Sequence, residues 1–178
     1  MKHHIPFRLS ALAAFVASAS PLSAAPGSLD PGFNGTGVII RDFTGSEDLR
    51  AVAVLPDGKI IAAGTTDASG HDDILVVRYN PNGTLDTSFS TDGIEIINLL
   101  NTSNETVKAM AIQPDGKIVV VGHTDANTGV NLDMFAVRLN ANGGLDTTFG
   151  FSGKYTINPT PSADDEASGV AILPDGKS

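Results

Sequence analysis

Two acidic loops hold the residues whose types and spacing come nearest to chemistry. T-D-A-S-G-H-D-D, residues 66–73, carries Asp67, Asp72 and Asp73. T-D-A-N-T-G-V-N-L-D, residues 124–133, carries Asp125, Asn127, Asn131 and Asp133. Calcium takes six to eight hard oxygens, and such loops could supply several of them. Calcium is therefore the one cofactor the sequence suggests. Against it, Gly129 stands where a third oxygen ligand belongs, no bidentate Glu closes the loop, and the two loops differ in length. Solvated turns are the better reading. Asp73 and Asp133 recur in phase with Arg78 and Arg138, as an acid and an anion binder would. Residues five apart on a strand point to opposite faces, so the arginines read instead as structural or edge-protecting charges on an outer strand. His71 and His123 lack ligand spacing, and no H-E-x-x-H, G-x-S-x-G or phosphate-binding glycine loop is present. The absence of Cys excludes disulfides, thiolate catalysis and Cys-based zinc sites. No catalytic residue is expected.

The elements that would position these loops repeat. G-S-L-D-P-G-F-N-G-T-G (27–37), G-T-L-D-T-S-F-S-T-D-G (83–93) and G-G-L-D-T-T-F-G-F-S-G (143–153) share one motif. P-D-G-K recurs at 56, 114 and 174 after an apolar run, and D-x-x-x-V-R-x-N-x-x-G recurs at 73 and 133. The intervals are 58 and 60 between P-D-G-K motifs and 56 and 60 between L-D-x-x-F motifs, and the latter place the unit starts near 27, 83 and 143. Each unit reads as four short strands: Val38–Phe43 and Ile94–Leu99 after L-D-x-x-F, then the two strands flanking P-D-G-K, then Ile74–Tyr79 and Met134–Leu139. Asp-Gly between two β-prone runs is a hairpin signal, so P-D-G-K is a turn and not a site. The i, i+4 spacing of Leu and Phe in L-D-x-x-F puts both on one side of a turn, where they plug the crossing between units. A-V-A-V-L, K-I-I-A-A-G and K-I-V-V-V-G are near-continuous apolar runs, which implies that both faces are covered. No segment has a helical apolar period, so the cover must be other sheets. The expected fold is all-β: tandem four-stranded antiparallel sheets, β-propeller-like and incomplete, with about two and a half blades.

The combination G-x-L-D-x-x-F…G, A-x-A…P-D-G-K-I-x-x-x-G and D-x-x-x-V-R-x-N-x-x-G resembles the delta-60 repeat of bacterial secreted and surface proteins across residues 27–178. The resemblance implies tandem repeats forming a propeller-like structure, with no defined activity or catalytic residue. Asn34 and Ser90 depart from the family's usual Gly, which Gly150 keeps.

Residues 1–24 read as a signal peptide: Lys2 and Arg8, an apolar run from Leu9 to Ala19, then Leu22-Ser23-Ala24 as a cleavage site. Residues 25–178 are then the repeat region, and the protein is expected to be secreted or held in the cell envelope. Loss of Lys2 and Arg8 moves the net charge from −9 to −11. Such a surface repels nucleic acid, and no later run is long enough for a membrane helix. The loops sort by edge. P-D-G-K and L-D-x-x-F share one edge and hardly vary; residues 44–50, 101–106, 159–168 and the two acidic loops share the other and all differ. A partner would meet the divergent, acidic edge. The expected function is an exported, non-enzymatic repeat module for binding or display at the cell surface. Its ligand is an unknown extracellular or cell-surface molecule. The alternatives are a fragment of a propeller enzyme with its active site in other units, and a cation-stabilised adhesin module. Because A-I-L-P-D-G-K-S stops after the hairpin turn, further repeat units in a longer chain are also expected.

Overall fold

The computed structural model describes residues 27–43, 45–125, 131–160 and 162–173. The signal-peptide reading, Asn127 and the third P-D-G-K lie outside these. The described elements are eight strands: β1 (Glu47–Val54), β2 (Ile60–Thr66), β3 (Asp73–Tyr79), β4 (Ile94–Ile97), β5 (Glu105–Ile112), β6 (Ile118–Thr124), β7 (Asp133–Leu139) and β8 (Lys154–Ile157). They form two antiparallel meanders, β1-β2-β3-β4 and β5-β6-β7-β8, hereafter the first and second sheets. Among the described residues there is no helix.

P-D-G-K is the hairpin turn. Leu55 N donates to Lys59 O at 2.8 Å and Gly58 N to Leu55 O at 2.9 Å. Gly58 takes φ +81° and Gly116 φ +83°, the left-handed turn position that glycine fills without steric cost. Asp57 Oδ1 accepts Lys59 N at 3.1 Å and Asp115 Oδ1 accepts Lys117 N at 3.2 Å, so both side chains serve their own turns.

The sheets are phased differently from the sequence units. The strand after L-D-x-x-F pairs backwards, β4 with β3 and β8 with β7. The reason lies in the turn. Asp86 N donates to Arg78 O and Arg78 N to Gly93 O, each at 2.9 Å, which fastens both ends of L-D-x-x-F to β3. L-D-x-x-F is therefore the β3–β4 connection within a sheet and not the crossing between sheets. The crossing is the variable stretch after β4, where Glu105 N donates to Asp72 O at 2.7 Å and starts β5. Residues 38–43 form no ladder, though Ile39 and Phe43 pack on the first sheet beside Ala62, Val77 and Tyr79.

The core lies between the sheets. Ile61, Ala63, Ile74, Val76 and Ile97 of the first meet Val107, Ile118, Val120, Phe135, Val137 and Leu139 of the second, with Phe89 between them. Phe89 thus plugs the interface as expected, whereas Leu85 packs on the opposite face of the first sheet. β2, β3 and β6 are covered on both faces, as their apolar runs imply. β1 is not: Val52 and Val54 are about 70% exposed, at 71% and 70%. Their counterparts Met110 and Ile112 pack against the core. No described strand lies over that part of the outer face of β1.

Each K-I-x-x-x-G glycine answers a bulge. The β1–β2 register shifts between Leu49 and Ala51, and β5–β6 between Val107 and Ala109. The bulged strand presses its carbonyl onto the facing glycine, so a Cβ on Gly122 would lie 1.9 Å from Thr106 O and one on Gly64 2.1 Å from Asp48 O. Gly122→Ala should destabilise the protein by about 2–3 kcal/mol, as overpacking against rigid backbone does. Urea denaturation will show this, with Gly169→Ala, in open space, as a silent control.

Candidate functional site

The invariant letters of the repeat meet at one edge of each sheet. Asp86 Oδ2 takes Arg78 Nε at 2.6 Å and Lys59 Nζ at 2.9 Å. Asp86 Oδ1 takes the amide and hydroxyl of Ser88 at 3.1 and 2.7 Å. The Arg78 guanidinium lies 4.7 Å over the Phe89 ring and donates to Ser88 Oγ at 3.1 Å and to Ala141 O, in the next sheet, at 2.5 Å. The second sheet repeats the cluster. Asp146 Oδ2 takes Arg138 Nε at 2.8 Å and Lys117 Nζ at 3.2 Å, Thr148 caps Oδ1, and Arg138 lies 4.6 Å over Phe149. Three motifs far apart in sequence are thus one electrostatic latch.

The latch makes the arginines structural charges and corrects the reading that put them on an outer strand as edge protection. β3 and β7 are inner strands of their sheets, and Arg78 is buried and ion-paired. It guards no edge. Burial pushes the Asp86 carboxyl up, but the Ser88 hydroxyl and amide, Lys59 and Arg78 together hold it well below the usual range. The Thr148 hydroxyl is the largest cause of the same lowering at Asp146; burial opposes it, and the Thr148 amide, Lys117 and Arg138 add to it. Both carboxylates are held by neighbouring donors, so the latch offers no free acid, base or nucleophile. Its chemistry is that of a fastener.

The acidic edge is also partly structural. Asp67 Oδ1 accepts Ser46 N at 2.6 Å, and Asp125 accepts Asn104 N at 2.7 Å and Asn104 Nδ2 at 2.8 Å. These aspartates cap the chain just before β1 and β5. Asp72 is exposed, its amide donating to Asn104 Oδ1 at 3.2 Å. Asp73 is buried at the start of β3 and accepts from Ser69 Oγ. Asp133 is buried in the matching place on β7. Among the described residues no three His, Asp or Glu side chains form a group that could hold a metal ion. The structure thus does not bring the five described candidates, Asp67, Asp72, Asp73, Asp125 and Asp133, together as a metal site.

Sequence reasoning missed Glu105. It is fully buried at the first position of β5, with Oε1 taking Thr124 Oγ1 at 3.0 Å and the Ser103 hydroxyl. Its Oε2, like Oδ1 of buried Asp73, has no hydrogen-bond partner. Burial raises the Glu105 carboxyl above its ordinary range; the Ser103 and Thr124 hydroxyls and a backbone amide pull it down, and the Asp73 charge adds to the rise. The signal that could have found it is Glu47 at the matching position, inside a loop that otherwise diverges.

A family model described as domain of unknown function (DUF5122) beta-propeller matches residues 55–89 and 113–149. Each match runs from the P-D-G-K turn through two strands to the Phe of L-D-x-x-F, and so spans one latch. The sheets are propeller blades. No curated protein matches the chain. No helix among the described residues is long and apolar enough to cross a membrane.

Asp86→Ala should cost about 3 kcal/mol, because it leaves the buried Arg78 uncompensated. Asp146→Ala should cost less, since Lys117 and Arg138 are more exposed. Paired thermal melts will rank the two. Two opposing pH slopes follow. Asp86 is lowered, so its contribution is complete above the ordinary carboxylate range and lost as pH falls below about 4. Glu105 is raised, so its ionised form opposes folding and stability falls as pH rises above about 4. Glu105→Gln should remove the second slope, leaving stability near pH 4 unchanged and raising it at pH 7–8. Denaturation from about pH 2 to about pH 8 measures both, the Asp86 slope below about pH 4 and the Glu105 slope above it.

Proposed function

We propose that the chain is an exported, non-enzymatic module of delta-60 type, for binding or display at the cell surface. The supporting observation is that the invariant side chains are spent on one another in the latch, while the loops of the opposite edge diverge in sequence. A scaffold that fixes one edge and varies the other is how binding loops are carried. Asp48, Asp72, Asn101, Thr102 and Ser162 are exposed at or beside that edge, and a partner with basic or hydrogen-bonding groups suits them. Replacing these five with Ala should abolish pull-down of isolated cell envelopes by the full chain without changing its melting curve. Retained pull-down would overturn the reading. Export is tested by fusing residues 1–24 to a reporter, which should appear outside the cytoplasm.

The cation-stabilised alternative draws support from Asp73 Oδ1 and Glu105 Oε2, two buried carboxylate oxygens without hydrogen-bond partners. Millimolar calcium should then raise the melting temperature in the parent chain but not in Asp73→Asn. An unchanged parent melt would sink that alternative and leave the first untouched.

A further inference from the structure

The two sheets are near copies, yet they bury matching residues unequally. On the first sheet Ile74, Val76 and Phe89 are fully buried and Ile97 is 2% exposed, all covered by the second sheet. The residues at those positions in the second sheet are Met134, Ala136, Phe149 and Ile157. The first three are half-buried and Ile157 is 42% exposed, with Tyr155 beside it at 51%. β7 alternates buried and half-buried where β3 is buried throughout. A cavity of about 390 Å³ lies here, lined by Val119, Val121, Ala136, Phe149, Tyr155 and Ile157 among others.

Half of this face is already covered by a segment with a known counterpart. Asp165 N donates to Leu132 O at 2.7 Å, as Glu105 N does to Asp72 O. Leu132 N donates to Asp164 Oδ1 at 3.0 Å, as Asp72 N does to Asn104 Oδ1 at 3.2 Å. Lys108 Nζ lies 3.4 Å from Glu166 Oε2, and Val170 reaches the cavity wall beside Val119 and Val121. Residues 163–173 therefore take, on the second sheet, the place that β5 takes on the first. Val119 and Val121, nearest that segment, are buried; the side of β7 and β8 is open.

We infer that the open face around Ala136, Phe149, Tyr155 and Ile157 is a docking site for a β-hairpin carrying this repeat's own second and third strands. The contact between the two sheets defines what such a hairpin must offer. Phe135, Val137 and Leu139 supply its apolar side on the first sheet. Its N-x-N-G turn supplies two carbonyls: Ala141 O accepts Arg78 Nη1 at 2.5 Å and Asn142 O accepts Ser90 N at 2.8 Å. Arg138 and Gly150 hold the matching donor positions on the second sheet. Among the described residues no acceptor faces Arg138 Nη1 or Gly150 N. The site is thus specific for a turn and a strand face of the same repeat, and not for apolar surface in general.

The experiment adds a synthetic peptide of residues 117–143 of this chain to the full protein. Saturable binding by calorimetry is expected, with slowed hydrogen exchange on β7 and β8. The peptide carrying Val137→Asp should bind at least about tenfold more weakly, because that residue faces the dock. The peptide carrying Ala136→Asp, which faces away, should bind as the parent does. In the protein, the exposed pair Tyr155→Asp and Ile157→Asp should abolish binding, while Val52→Asp and Val54→Asp on the remote face should not. Absence of saturable binding, or equal loss with both peptides, overturns the inference. Neither result bears on the envelope pull-down, which probes the opposite edge loops.

Discussion

One carboxylate holds the pieces of each blade together. Asp86 sits between Arg78 of β3 and Lys59 of the β1–β2 turn, and its second oxygen caps its own loop through Ser88. A buried carboxylate is costly unless charge and hydrogen bonds meet it on every side. Here they do. Meeting that demand fixes three separate motifs at once: the turn that brings Lys59, the register that brings Arg78, and the L-D-x-x-F loop itself. Because Arg78 also reaches Ala141 O, the same group that closes one sheet grips the next. Phe89 then lies under the guanidinium and fills the gap between sheets.

Much of this was legible in the sequence. The repeat, the strands around P-D-G-K, the turn itself and the lack of helix all follow from local pattern. Glycine at 58, 93 and 153 with positive φ is a matter of turn chemistry that letters carry well. The phasing of the sheets was not legible. Nothing local says whether Ile94–Ile97 pairs forwards or backwards; two hydrogen bonds between the L-D-x-x-F loop and β3 decide it. The role of Arg78 was hidden for the same reason, since an outer and an inner strand carry the same letters. Asp67 and Asp125 read as solvated turn residues and weak ligand candidates, because acidity shows in a sequence and the amide that an acid caps does not. Glu105 went unseen because burial of a polar residue depends on what a neighbouring sheet does.

The positive φ of Asn34 and Ser90, at 50° and 46°, shows how firmly the architecture overrides local preference. Gly150 takes φ +52° at the same position. Ser90 holds that conformation at a cost of about 1–2 kcal/mol, and the bond from its amide to Asn142 O lies across the sheet interface. The contact between sheets is worth enough to keep a strained residue in place.

The division of labour between the two edges sets where the chain can change length. β6 follows β2 by 58 residues, and β7 follows β3 by 60. The two extra residues therefore fall in the acidic loop between β6 and β7, on the side away from the latch. An insertion there shifts no partner of Asp146, because Lys117, Arg138 and Thr148 all approach from the other end of the strands. Insertions on the latch side would part an arginine from its carboxylate. Length drift between copies is thus confined to one rim, and each blade can acquire a different outline without renegotiating how it joins its neighbour.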